Sequence, residues 1–449
     1  MNKQFLKKIR DNLPELVKLV LGPVFRNKFL KNEEYIRYEK LLEERESWKF
    51  SEIQVIQHKR LKKILIHAFE NVPYYGKVFT DAGFNPYSMK YPDEIRVLPY
   101  LTKKIIRKNF NELISEKKIP GGHYIATTGG TTGEPLKVLL DYDCVFKENA
   151  FVNHFRKKVG YQKKDLLATF RGIEFGERIW KFNPMQNEFI FSPFRLSKNT
   201  VEAYLSKIKS IKPSFLNGYL STLFFFAKLL SEKKLMVENN LKGIFLISEN
   251  IDKEQRSFIE DLFQVETKTF YGHSERCIIA EEIYPNQYRF DPYYGYTELI
   301  DNEDGSMTIA GTGFLNKTMP LIRYITDDVC RPCGDGLYEI YGRRKSTEGL
   351  YGINGEFFGH AAFNFHSELF QNVTNYQFIQ KQKGKAELLL LVNEAFHPSE
   401  MDKMGKEIDK KTKGVMKFNI KVVDHLKLSD RGKYRMFVSN IKDSVFVKE

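Results

Sequence analysis

Residues Thr127-Thr128-Gly129-Gly130-Thr131-Thr132-Gly133-Glu134-Pro135 put three glycines and four threonines into nine positions. Glycine lets a backbone N–H approach an anion closely, and each threonine adds a hydroxyl donor without bulk. This composition points to polyphosphate binding. It is not a Walker-type loop, which needs four residues between its glycines and then Lys-Ser/Thr opening a helix. Here three residues separate Gly129 from Gly133, and Glu134-Pro135 stands where the lysine would be. The run Leu136-Lys137-Val138-Leu139-Leu140 that follows predicts a strand. With Tyr124-Ile125-Ala126 leading in, a phosphate loop between two strands is expected.

Further candidates depend on the elements that carry them. Ile244-Phe245-Leu246-Ile247 predicts a buried strand, 253–263 a helix with Asp252 and Gln255 as a capping box, and Val265–Thr269 another strand. A β-α-β order implies a parallel sheet, whose functional residues follow the carboxyl ends of the strands. Two stretches fall there: Ser248-Glu249-Asn250 and Tyr271-Gly272-His273-Ser274-Glu275. Upstream, Val201, Leu205 and Ile208 share a helix face, and Leu216-Asn217-Gly218-Tyr219 breaks into a helix over 223–230. From Tyr294 to Tyr341, turn signals at Asn302–Gly305, Gly311–Gly313 and Gly334–Gly336 suggest an antiparallel sheet or a small barrel. Beyond Arg344-Lys345-Ser346 the pattern is a compact α+β unit, so the expected domains are 1–345 and 346–449. Residues 1–48 read as basic amphipathic helices, with Phe5, Ile9, Leu13, Leu16 and Val20 at helical spacing. They either lie on an acidic membrane surface as a peripheral attachment or pack on their own domain.

The composition sets bounds. Lys+Arg 71 against Asp+Glu 57 gives a net charge of +14, suited to a nucleotide, an acidic sugar or an anionic membrane. The basic residues are spread along the chain without a nucleic-acid motif, which argues against nucleic-acid binding. Four cysteines, Cys144, Cys277, Cys330 and Cys333, form no disulfide framework. With no leader-like N-terminus and no apolar stretch of membrane-spanning length, a cytoplasmic protein is expected.

The loop 127–135, the Glu249 turn, Tyr271–Glu275, Arg323-Tyr324-Ile325-Thr326-Asp327-Asp328 with Gly342-Arg343, and Gly432-Lys433 stand in a fixed order. Together they resemble the adenylate-forming superfamily of acyl-CoA synthetases, peptide-synthetase adenylation domains and luciferases. Leu216–Ser221, Pro320–Tyr324 and Tyr376–Gln380 resemble its phenylacetate–CoA ligase-like branch, and within it the members associated with capsular polysaccharide biosynthesis. The resemblance implies a large α/β adenylating domain of layered sheets, helices and a small barrel-like part, followed by a small mobile α+β lid. It implies activation of a carboxylic acid with ATP and Mg²⁺, then transfer to CoA, a carrier thiol or an amine. Thr128, Gly129, Gly130, Thr131, Thr132 and Gly133 would hold the outer phosphates. Glu249 would lie in the nucleotide site. Tyr271 would stack on adenine beside Gly272, Asp328 would accept the ribose hydroxyls, and Arg343 would add a donor. Glu275 would hold Mg²⁺, and Lys433 would be the catalytic lysine.

Two positions depart from the family pattern: Asp327 replaces a glycine, and no aspartate stands near Ser346. They motivate the alternative of a catalytically degenerate binding or scaffolding protein of the same pathway. Arg171, Tyr219 and His273 are candidate substrate contacts. Cys330-Arg331-Pro332-Cys333 with Cys277 has a spacing that could seat zinc, although two reduced thiols in a turn is the reading favoured.

Overall fold

The computed structural model describes residues 14–128, 136–171, 175, 177–196, 199–236, 240–341, 349–363, 370, 372–392, 395–424, 426, 436–439 and 441. The phosphate-loop residues 129–135, Arg343 with the expected hinge 342–348, and Lys433 within 427–435 lie outside them.

Helix α1 (Glu15–Leu30) is followed by α2 (Glu33–Glu44), which opens on Asn32 as an N-cap. The shared face expected for Leu16 and Val20 does not bury throughout: Val20 is 71% and Val24 65% exposed. By contrast, Tyr35, Tyr38 and Leu42 of α2 pack against Phe151 and Phe155 of the later helix α6, so that half of the extension folds onto its own domain. Helix α3 (Phe50–Asn71) buries Leu61, Ile64, Leu65 and Ala68, one helical stripe, and α4 (Pro73–Asp81) and α5 (Lys103–Lys108) follow. No helix among the described residues is long and apolar enough to cross a membrane.

Strands β1 (His123–Thr128) and β2 (Leu136–Asp141) form the expected hairpin, with Thr128 opposite Leu136. Helix α6 (Asp143–Lys157) leads into a six-stranded sheet. Its strands are β3 (Leu167–Phe170), β4 (Trp180–Asn183), β5 (Glu188–Phe191), β6 (Phe215–Gly218), β7 (Gly243–Leu246) and β8 (Thr267–Lys268), in the order β4-β5-β3-β6-β7-β8. All pairs are parallel except β4–β5. Helices α7 (Val201–Ile211), α8 (Leu220–Glu232) and α9 (Lys253–Phe263) bury Tyr204, Leu205, Leu223, Phe226, Ile259 and Phe263 against it. Asp252 caps α9 by accepting the Gln255 N–H at 2.9 Å, whereas Gln255 Oε1 has no partner among the described residues, so only half the capping box forms.

The second sheet contains β9 (Phe270–Gly272), β10 (Ile279–Tyr284), β11 (Gln287–Phe290), β12 (Gly295–Asp301), β13 (Met307–Gly313), β14 (Tyr324–Gly334) and β15 (Leu337–Tyr341). It is antiparallel, in the order β12-β13-β14-β15-β11-β10-β9, and among the described residues it stays open and closes no small barrel. Gly311–Gly313 is not a turn either. Both glycines lie in β13 because Cys277 and Ile278 cross the sheet there: a Cβ on Gly311 would sit 2.4 Å from Ile278 Cγ1, and one on Gly313 3.0 Å from Cys277 Cα.

Towards the C-terminus, the short pair β16 (Gly349–Tyr351) and β17 (Phe357–Gly359) precedes a four-stranded sheet. That sheet comprises β18 (Val373–Gln382), β19 (Lys385–Val392), β20 (Lys417–Val422) and β21 (Phe437–Ser439) in the order β20-β19-β18-β21. Helix α10 (Ser399–Thr412) adds Met404 and Ile408 to its core.

Candidate active site

Tyr271 and Glu275 lie at and just after the outer strand β9 of the antiparallel sheet. Two tyrosine hydroxyls tie this segment to its surroundings. The Tyr271 hydroxyl donates to Asp328 Oδ2 at 3.0 Å, and the Tyr324 hydroxyl donates to Glu275 Oε1 at 2.7 Å. Below them, buried Arg256 joins Glu282 of β10 at 2.5 Å and the Thr267 carbonyl at 2.6 Å, which locks the parallel sheet's last strand to the antiparallel sheet.

Glu275 is buried, and burial alone would raise its pKa. Its neighbours together outweigh that, His273 foremost among them, with Nδ1 3.1 Å from Oε2. With the Tyr324 hydroxyl and the positive charge of Lys103, His273 brings the carboxyl to about 2. Glu275 is therefore an anion at neutral pH. Burial and the neighbouring Asp328 raise the Tyr271 phenol, and burial and Glu275 raise that of Tyr324, so both stay protonated donors.

The two aspartates of Thr326-Asp327-Asp328 have different surroundings. Asp327 is taken by Lys103 of α5, Nζ to Oδ2 2.6 Å. Asp328 faces Tyr271, and its own N–H donates to Thr326 Oγ1 at 3.2 Å. The ladder between β13 and β14 is irregular at this point, with Ala310 opposite Ile325 but Thr308 opposite Val329, as where a bulge re-aims side chains. Arg323 takes φ of +51° and buries its guanidinium against Glu298 at 2.8 Å. Leu101 N–H and the Ile325 N–H close a parallel bridge around it, which brings α5 and Lys103 to the site.

Of the other residues singled out, Thr128 closes β1 and Gly272 lies in β9. Glu249 is half-buried just past β7, after Ser248 in the left-handed region at φ +59°. Tyr219 is the N-cap residue of α8, beyond Gly218, where a Cβ would meet the Phe170 carbonyl at 2.8 Å. Arg171 donates from Nη2 to buried Glu188 at 2.8 Å, and Asn183 reaches the same oxygen at 2.7 Å. That is a tie between neighbouring strands.

Cys277, Cys330 and Cys333 do not assemble a zinc site. Among the described residues no group of three or more His, Cys, Asp or Glu could hold a metal ion. Three positions along a strand put Cys330 and Cys333 on different faces, one buried and one exposed, and Cys277 Sγ points to the Gly311 carbonyl at 3.3 Å. Magnesium is a different case. It takes one or two carboxylates and completes its shell with phosphate oxygens and water, so a single ionised Glu275 fits it.

The reading of the motifs passed over Lys103, Tyr324, Arg276, Tyr124 and Glu148. Tyr324 and Tyr124 stood inside stretches already singled out; the others carried no local signal, because their partners are distant in the chain.

Residues 353–440 match the CapK C-terminal domain family. The chain is 22% identical to protein CapK of Staphylococcus aureus over 282 residues, 61% of this chain and 62% of that protein, so the match spans under two thirds of it. It is 24% identical to the phenylacetate–coenzyme A ligase of Escherichia coli K12 over 301 residues, 62% of this chain and 67% of that enzyme. In structure it resembles 2-hydroxyisobutyryl-CoA ligase. With that enzyme in the thioesterification state the TM-score is 0.54 at 17% identity, covering 89% of this chain and 92% of the other. With the postadenylation state it is 0.53, covering 88% and 91%.

Proposed function

We propose that this chain, a relative of the adenylate-forming phenylacetate–CoA ligase-like proteins, is an ATP-dependent acid ligase. A carboxylate oxygen of the acid attacks the α-phosphorus of ATP, an O–P bond forms, and the bond to the β-phosphate bridging oxygen breaks to release pyrophosphate. A thiol such as CoA, or an amine, then attacks the acyl carbon, loses its proton to solvent, and expels AMP.

The observation that carries the reading is the paired arrangement at β9: ionised Glu275 held by Tyr324, and a second carboxylate, Asp328, held by Tyr271, four positions before Glu275. Tyr271 offers a ring for adenine, and its hydroxyl aims Asp328 at the ribose hydroxyls. Thr128 and the following loop would receive the β- and γ-phosphates, with Glu249 and Arg343 around the nucleotide. Magnesium on Glu275 would shield phosphate charge when bound. Lys433, on a lid assigned to 346–449, would meet the charge developing at the α-phosphate. A place in capsular or other extracellular polysaccharide assembly, in the cytoplasm, rests on the likeness to CapK.

Acid-dependent exchange of pyrophosphate into ATP tests this. Exchange that vanishes in Lys433→Ala supports the ligase. A folded protein that binds ATP, gives no exchange with any acid, and keeps its cellular role as Lys433→Ala would instead be a scaffold.

A further inference from the structure

A cavity of about 320 Å³ opens where the parallel sheet, the antiparallel sheet and the end of α6 meet. Its walls are Phe155 and Arg156 of α6, Phe245 and Leu246 of β7, Lys268 of β8 and Phe270 of β9. Leu246 and Lys268 are the last residues of their strands, so the cavity lies at the carboxyl ends of parallel strands, where open α/β sheets take their ligands. Phe270 turns into it, and strand alternation sends the next residue, Tyr271, the other way to Asp328.

Two cations stand on this lining with no carboxylate in ion-pair reach. Neutral groups position the Arg156 guanidinium: Nη2 donates to Asn217 Oδ1 of β6 at 3.1 Å, and Cζ lies 4.6 Å from the centre of the Phe245 ring and 5.8 Å from that of Tyr161. Its Nε and Nη1 donate to nothing among the described residues, and both stay reachable by solvent. Burial lowers the pKa of this arginine, with only Tyr161 and Glu188 pulling the other way. Lys268, partly buried, makes no hydrogen bond or ion pair among the described residues. The carboxylates on the lining are already matched. Glu281 accepts from Lys158 Nζ at 2.7 Å, and Glu282 joins Arg256 at 2.5 Å. Arg156 and Lys268 are therefore the unmatched charges. A desolvated cation without a counter-ion is costly, and a bound anion removes that cost. Three phenylalanine rings beside these charges suit the carbon part of an organic anion better than a bare inorganic one.

We propose that this cavity binds an organic carboxylate, with its negative group on Arg156 and Lys268 and its carbon chain or ring among Phe155, Phe245 and Phe270. Binding there does not require the ligase reading. The carboxylate has two sources: the far end of a dicarboxylic acid being activated, or a separate anionic ligand.

The test is titration calorimetry of the full chain with three probes of one length, adipate, hexanoate and neutral hexanamide. Both acids should bind at least about tenfold tighter than hexanamide, as hydrogen bonds to charged groups predict. Arg156→Met should bring the acids down to the hexanamide level, Arg156→Lys should recover part of the loss, and Lys268→Met should weaken the acids about threefold. The rise in melting temperature with ATP should be unchanged in all three variants. Should Arg156→Met fail to fold, Lys268→Met carries the comparison. Pyrophosphate exchange separates the sources. A preference for adipate over hexanoate that Arg156→Met abolishes makes the bound group the far carboxylate of the substrate. Acid binding that depends on Arg156, with exchange that does not, makes it a separate ligand. Equal binding of acids and amide, no binding of any probe, or an acid advantage that survives the variants overturns the proposal. None of these results bears on the ligase reading, which stands or falls on exchange and Lys433→Ala.

Discussion

The parallel and antiparallel sheets each end in an arginine that holds a glutamate, and the two pairs are built differently. Arg171 follows β3 and ties down Glu188 on the adjacent strand β5, with Asn183 sharing the same oxygen. Both glutamate partners are close in the chain, and the cluster staples strand ends. Arg276 is left-handed, sits one residue past an ionised catalytic candidate, and reaches across to a helix and a hairpin from another part of the fold. The first ion pair stays within one sheet; the second joins α6 and the β1 hairpin to the turn that carries Glu275. Residue type and position after a strand suited both arginines equally, and only their partners separate them.

The sharpest way to break this contrast is on the antiparallel side. Glu275→Gln removes the buried anion that His273 and Tyr324 surround, and acid-dependent pyrophosphate exchange should fall by about 10²- to 10³-fold. The matching change on the parallel side is Arg171→Met, which leaves Glu188 buried without its cation. It should cost about 3 kcal/mol in denaturant unfolding, while exchange per folded molecule stays within twofold. A large catalytic loss in Arg171→Met with unchanged stability would reverse the assignment of the two arginines.

Tyr271→Phe keeps the ring and deletes only the bond to Asp328. The KM for ATP should rise roughly five- to tenfold, about 1 kcal/mol for one typical hydrogen bond, with little change in the KM for the acid. A smaller effect concerns the junction of α6 with the antiparallel sheet. Burial, with Arg45 and Lys158 nearby, depresses the pKa of His154 to about 4. A depressed value favours the neutral ring in the folded state. Its contribution is therefore full above the unfolded value near 6.5 and is lost as pH falls towards 4. Melting temperature should decline across that window, and His154→Phe should flatten the decline.

Much of the fold was legible because it rests on local pattern. The apolar run 244–247, the capping aspartate before α9 and the stripe of α7 each announce themselves within a few residues, and each forms. The hairpin around the threonine-rich loop was likewise legible from Pro135 and the strand after it. The antiparallel sheet was harder. Its glycines at 311 and 313 look like turn residues, yet they are small because the segment 276–278 crosses them at contact distance. The same short strands suited an antiparallel sheet or a small barrel, and the sheet formed; closure depends on which strands pair at the ends, and strand spacing does not encode that.

The order of motifs suggested, from sequence alone, the kind of site to look for: a threonine loop, a Tyr-Gly-x-Ser-Glu turn and an aspartate pair with a downstream lysine. Which aspartate meets Tyr271 was decided only in three dimensions, where Lys103, 224 positions away, takes Asp327 and leaves Asp328 to the tyrosine. The same holds for Arg276, which finds Glu148, and for the cysteines that do not meet. Local chemistry follows from neighbours in the chain, but the charge state and aim of a buried group follow from neighbours in space.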